Sequence, residues 1–258
     1  SIDNMERQKE HKESAEVAKN LNKNKTNEKK ENKEEQLTKV DKDIGIISVA
    51  KGQGMKNIMK DLGVDIIISG GQSMNPSTND FVEAIKELDV DKIIILPNNK
   101  NIISAAKQSK HLTDKELAVI ETKSIPEAIS SLLVFNDQAD LSDLKEAMEG
   151  ETNYVKTAEI TTAVKDSQVK GFEIKEGDII GILDGEIEVH GDNYEEVVLK
   201  LFEKKLEDED LITIYYGEDV TEEEAEDLKN QLQEKFNLDE IEIYNGGQPL
   251  YPYIISLE

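Results

Sequence analysis

The chain has 258 residues and a formal net charge of −25, with 31 Lys and Arg against 56 Asp and Glu. Such a polyanion repels phosphate backbones and anionic bilayer surfaces, so nucleic acid is not an expected partner. Cys is absent, which excludes a disulfide framework, a thiolate nucleophile and Cys-ligated zinc, and no apolar run is long enough for stable membrane insertion.

Hydrophobic residues make up 37% and charged residues 34%, a balance that suits a chain with an unfolded portion. Residues 1–43 hold no Phe, Tyr or Trp and run through LNKNKTNEKKENKEEQ, so they are expected to be a disordered charged linker. Ser1 to Lys9 is expected to be the tail of a preceding domain, which makes the chain a piece of something longer. The opening SIDNMERQKE lacks the pattern of a secretory signal, and a cytoplasmic location is the default expectation. Charges balance within the linker, so the acidity belongs to the residues beyond it, most of it from Glu151 onward.

From Ile44 the pattern alternates between apolar runs and helical spacing. A strand at Ile44 to Ala50, a helix at Met55 to Leu62 and a strand at Asp65 to Ser69 come first. A helix at Thr78 to Leu88, a strand at Lys92 to Leu96, a helix at Asn101 to Lys110, a strand at Leu117 to Glu121 and a helix from Pro126 continue the series. Strands apolar on both faces predict a covered parallel sheet, so residues 44–150 read as an open, mainly parallel α/β lobe.

Residues 151–258 read as a second lobe of mixed α/β structure with hairpins. TAEITTAVKDSQV is β-branched, and Asp184-Gly185 between Ile179 to Leu183 and Glu186 to Val189 has the composition of a type I′ turn. A helix at Tyr194 to Lys205, a strand at Leu211 to Tyr216, a helix at Glu222 to Phe236, and strands at Ile241 to Tyr244 and Tyr253 to Leu257 complete it. The segments Met59 to Pro76 and Gln233 to Pro252 share a helix end, a short strand, Gly-Gly-Gln and then Pro, as two copies of one ancestral unit or as a turn reused twice.

Candidate chemistry gathers in loops. Gly70, Gly71, Gln72, Ser73, Asn75, Ser77 and Thr78 lie between a strand and a helix, where backbone amides converge on ligands in open parallel sheets. The phosphate-loop Lys and the dinucleotide glycine spacing are both missing, and ordinary turn and capping chemistry accounts for much of the loop. Asn98, Asn99 and Asn101 follow the next strand at the same sheet edge, and Lys51 follows the first, so these loops can frame one polar crevice. Asn is equally a preferred turn residue.

Asp184, Glu186, Glu188, His190 and Asp192 recur at every second position, which suits a metal array and, more ordinarily, a solvated acidic strand face. Thr221 and Glu224 form a capping box in sequence. Gly246, Gly247, Gln248 and Tyr251 belong to a Tyr-rich C-terminus that suits either an interface or a packed closing strand. No two-His ligand set and no Ser-His-Asp arrangement can be assembled by spacing, so no catalytic constellation is expected.

SVAKGQGMKNIMKDLGVDIIISGGQSMNPST, ILPNNKNIISAAKQ and YNGGQPLYPYIISLE together resemble the C-terminal region of the dihydroxyacetone-kinase-like catalytic subunit of bacterial fatty acid kinase, over Ile44 to Glu258. The resemblance implies a parent whose N-terminal domain binds ATP and magnesium, and whose C-terminal region engages a DegV-like fatty-acid-binding protein to form acyl phosphate in phospholipid metabolism. Without an Asp-rich nucleotide domain upstream, this stretch is expected to be non-catalytic and free of cofactors. Its expected partners are the DegV-like protein and the rest of the parent kinase chain. Two other readings stand beside this one: a regulatory small-molecule or phosphate site in the crevice, and a dimerisation module giving a homodimer through the Tyr-rich end.

Overall fold

The structure is a computed structural model that describes residues 42–70, 75–169, 171–206 and 211–258. The expected linker lies almost wholly outside the described residues, as do Gly71, Gln72 and Ser73. Residues 41–258 belong to one compact unit, in which two sheets are covered by helices.

The first sheet contains β1 (Ile44–Ala50), β2 (Ile66–Ser69), β3 (Lys92–Leu96) and β4 (Glu116–Val119). All are parallel, in the order β2-β1-β3-β4. Crossover helices α1 (Gln53–Asp61), α2 (Thr78–Glu87) and α3 (Ile103–Ser109) join them. Every residue of β1 is buried, as a parallel strand covered on two faces requires. Ile47 and Val49 point to α2 and α3 with Phe81, Ile85 and Ala106, whereas Ile44, Ile46 and Ala50 point to α1 with Met55 and Met59.

The region after Pro126 forms two helices, α4 (Ile125–Leu133) and α5 (Leu141–Glu151). The break falls at Asn136 to Asp140, where the Asn136 carboxamide oxygen accepts from the Gln138 amide at 3.0 Å and competes with helical pairing. Leu132, Leu141, Leu144 and Met148 then complete the α1 side of the sheet.

The second sheet is mixed, with strands β5 (Lys156–Thr162), β8 (Ile179–Leu183), β9 (Glu186–Gly191), β10 (Ile212–Tyr216), β11 (Ile241–Asn245) and β12 (Tyr253–Leu257). Its order is β11-β10-β12-β5-β8-β9, with only β10 and β11 parallel. A separate hairpin pairs β6 (Ser167–Val169) with β7 (Phe172–Ile174). Asp184 and Gly185 both take positive φ, 51° and 84°, so the β8–β9 turn has the expected type I′ signature. Helices α6 (Tyr194–Lys205) and α7 (Glu222–Phe236) bury Val197, Leu201, Leu228 and Leu232 on one face. Thr221 and Glu224 close the capping box that starts α7.

The opposite face of this sheet sends Tyr215 and Ile254 into the apolar cluster beneath the first sheet. Both Gly-Gly-Gln echoes follow parallel β-α-β units, β1-α1-β2 and β10-α7-β11. The sheets also meet backbone to backbone where the Met55 amide donates to the Gly246 carbonyl at 2.8 Å. A Cβ on Gly54 would lie 1.7 Å from the Asn245 carbonyl oxygen, so only glycine fits there. Gly54→Ala should therefore lower stability by at least about 3 kcal/mol in urea unfolding. Gly63→Ala, at a positive φ but with open space around it, should cost only about 1 kcal/mol.

Candidate functional site

The order β2-β1-β3-β4 reverses between β1 and β3, where chain crossovers leave in opposite directions and open a crevice at the strand C-termini. A cleft of about 70 Å³ lies there, lined from the first sheet by Lys51, Gly70, Asn98 and Asn99, and from the second by Gln248 and Tyr251. The crevice expected from three loops thus takes in members of each, together with the C-terminal loop. Asn75, Ser77, Thr78 and Asn101 do not line it.

Ser77 and Thr78 have local work instead. Ser77 caps α2, accepting from the Asp80 amide, and its own amide donates to the Asp80 carboxylate at 2.7 Å. Ser77 Oγ also donates to that carboxylate at 2.7 Å, and this bond, with the one from the backbone amide, holds the Asp80 carboxyl below its usual pKa. Thr78 donates to the Gln108 side chain on α3 at 3.3 Å. Asn75 and Asn101 are exposed.

Asn98 holds the cleft's floor. It adopts a left-handed φ of 59°, and its side-chain nitrogen donates to Ser48 Oγ and the Val49 carbonyl, both at 2.8 Å. Thr122 Oγ1 donates to Asn98 Oδ1 at 2.7 Å, so one amide side chain ties β1, the end of β3 and the segment after β4 together. Asn99 is only 3% exposed; its Oδ1 accepts from the Asn101 amide at 2.8 Å.

Gln248 is buried and donates to the Tyr215 and Tyr251 carbonyls at 2.9 and 3.0 Å. Gly246 and Gly247 press on the turn at Gly52 to Gly54. Tyr251 is half-buried, and burial raises its phenol pKa, reinforced by the Glu159 carboxylate, so it stays a hydroxyl donor.

A second cavity of about 260 Å³ adjoins, sharing Ser124 and Glu159 with the cleft and adding Lys100, Lys123, Glu127 and Asp184. Ser124 Oγ lies 2.7 Å from Thr157 Oγ1, bridging α4 to β5. Glu127 accepts from the Lys123 amide at 2.6 Å, and burial raises its carboxyl pKa despite that bond.

The alternating acidic strand is not a wholly solvated face. Glu188 is buried and paired with Lys204 and Lys205 at 3.0 and 3.3 Å, because α6 packs over that edge. His190 stacks on Phe172 with ring centroids 5.1 Å apart. Among the described residues no three His, Asp or Glu are placed to hold a metal ion, and no helix is long and apolar enough to cross a membrane.

Sequence reading missed Ser48, Thr122, Ser124 and Glu159. Ser48 alone left a signal, as a lone hydroxyl inside an otherwise apolar strand.

The model of the FakA-like C-terminal family, the C-terminal region of fatty acid kinases of that type, matches residues 45–258. The chain belongs to that family. It is 42% identical over 215 residues to Protein YloV of Bacillus subtilis, covering 83% of this chain and 39% of that relative's length. Its fold is similar to that of a DegV family protein from Corynebacterium glutamicum, with TM-score 0.62 and 14% identity over 84% of this chain and 97% of that one. The Streptococcus pneumoniae fatty acid kinase B3 protein, solved with linoleic acid, aligns with TM-score 0.53 and 12% identity over 83% and 99% of the two chains. The dihydroxyacetone kinase of C. freundii aligns with TM-score 0.53 and 12% identity, over 83% of this chain and 48% of that one. At such identities the likeness shows the shared fold.

Asn98→Ala should lower stability by about 3 kcal/mol in urea unfolding, since it strands buried partners and places Ala at a left-handed φ. For Glu127 the raised folded pKa means that the native state binds more protons than the unfolded chain, so its contribution to stability falls as pH rises through that range. Glu127→Gln, which keeps the acceptor, should be more stable than the parent at pH 7.5, and the difference should close below the ordinary value of 4.5.

Proposed function

We propose that this region is the non-catalytic docking part of a two-component fatty acid kinase, engaging a DegV-like protein that carries the fatty acid. The ATP and magnesium chemistry that forms acyl phosphate belongs, in this reading, to the rest of the parent chain. The chain spans 39% of YloV, which leaves length for such a domain in proteins of this kind.

The observation that carries the reading is membership of the FakA-like C-terminal family in a chain whose inter-sheet cleft holds only about 70 Å³. Pockets that bury drug-sized ligands run from about 300 Å³ upward. The cleft, and the adjoining cavity of about 260 Å³, both fall short of that range, which supports a reading in which the lipid is carried by another protein.

The surface suits a basic partner. Glu222, Glu223, Glu226 and Asp227 are exposed on α7, and Glu218 and Asp219 are exposed in the turn before it. On edge strand β11, on the sheet face opposite α7, Tyr244 is 44% exposed, stacked on Tyr215 and bonded to Glu242 at 2.9 Å. The clustered charge of α7 suits electrostatic steering of a basic partner.

Calorimetric titration of the chain with a lipid-loaded DegV-like protein should give saturable binding that weakens as salt rises. The combined substitutions Glu222→Lys, Glu223→Lys and Glu226→Lys should weaken it at least about tenfold and flatten the salt dependence. No binding by a folded chain would overturn the proposal.

A further inference from the structure

We infer that the cleft between β1 and β3 is a binding site for a small oxyanion, a carboxylate or phosphate group, received by Asn99, Lys51 and Tyr251. Its position is that of ligand sites in open α/β sheets, at the strand C-termini where the order reverses. Position alone says nothing of the ligand's chemistry; the side chains do.

Asn99 lines the cleft, and its side-chain nitrogen is buried with no hydrogen-bond partner among the described residues. The bond from the Asn101 amide to Oδ1 fixes which end of the carboxamide is the free donor. Buried donors in native proteins are nearly always paired, so an unpaired one in a cavity points to a group that comes and goes or to water. Lys51 also lines the cleft, and makes no ion pair among the described residues. Tyr251 adds a phenol held protonated by burial. Two neutral donors and a cation make a receptor for an anion.

The other polar groups, Gln248 Oε1 and the Glu159 carboxylate, are acceptors and do not receive the anion. Gln248 Oε1 has no donor but faces Gly246, where an added Cβ would stand 2.0 Å from it. Glu159 enters from β5 on the opposing sheet and has interactions of its own. The α1 N-terminus is not the receptor, because the Met55 amide is engaged by the Gly246 carbonyl. A volume of about 70 Å³ exceeds the roughly 15 Å³ that one water needs, and takes a head group without its tail.

This inference stands apart from the docking proposal and is tested without a partner. The chain is titrated with sodium butyrate and with sodium phosphate, each against sodium chloride at matched ionic strength. The side-chain amide resonances of Asn99, identified by their loss in Asn99→Asp, and the melting temperature are followed. Saturable shifts with either anion are expected. Butyrate alone would mark a carboxylate site, such as a lipid head, and phosphate a site for phosphate or its esters. Asn99→Asp and Lys51→Gln should each weaken binding at least about tenfold. Lys51 is only part-buried, so its variant keeps the test interpretable if Asn99→Asp folds poorly. No saturable response from either anion would leave bridging water as the occupant and overturn the site, as would binding that both variants leave intact.

Discussion

The contact on which the rest of the molecule depends is the seating of Gly246 and Gly247 on the turn from Gly52 to Gly54. Gly52, Gly54, Gly246 and Gly247 carry no side chains, so two backbones approach within hydrogen-bonding distance and the Met55 amide finds the Gly246 carbonyl. That bond uses a helix N-terminal donor which in many open α/β sheets is left for an anion. It also fixes the second sheet against the first, with Tyr215 and Ile254 pressed into the cluster around Met55 and Met59. The cleft is what remains between the two surfaces once the backbones have met.

Placement of β12 follows from the same constraint. The last strand lies in the centre of the second sheet, antiparallel to both β10 and β5, with Tyr253 and Ile255 buried on one face and Ile254 on the other. The loop before it must leave β11, cross the β1–α1 turn and return. Gln248 holds that path by donating to two carbonyls at once, the half-buried Tyr251 supplying one of them. Residues Gln248 to Tyr251 of that loop line the cleft between the sheets.

Charge is arranged on a different principle from the cleft. The acidic groups of α7 are exposed, and its first turn places three Glu where the helix dipole favours them. Where a carboxylate is buried, as at Glu188, lysines from α6 accompany it. The buried Glu127 accepts from the Lys123 amide, and its pKa rises because that bond and the Lys123 charge do not offset the loss of water, to which the Asp184 carboxylate adds.

Much of this was legible in the sequence because it is local. Periodicity located most strands and helices to within a few residues, from Ile44 to Ala50 through Tyr253 to Leu257, but not the separate helix α5 (Leu141–Glu151) or the β6–β7 hairpin. Asp184-Gly185 declared its turn, and Thr221 with Glu224 declared its cap, since each rests on neighbours a few positions apart. Family motifs between Ile44 and Glu258 were equally visible. The sequence could not say that Asn98 is bound to Ser48, 50 residues away, while Asn99 beside it keeps a free donor. Nor could it show that Glu188 alone of its alternating set is buried beneath α6. Those distinctions depend on which surfaces meet across long stretches of chain, and packing between the two sheets decides them.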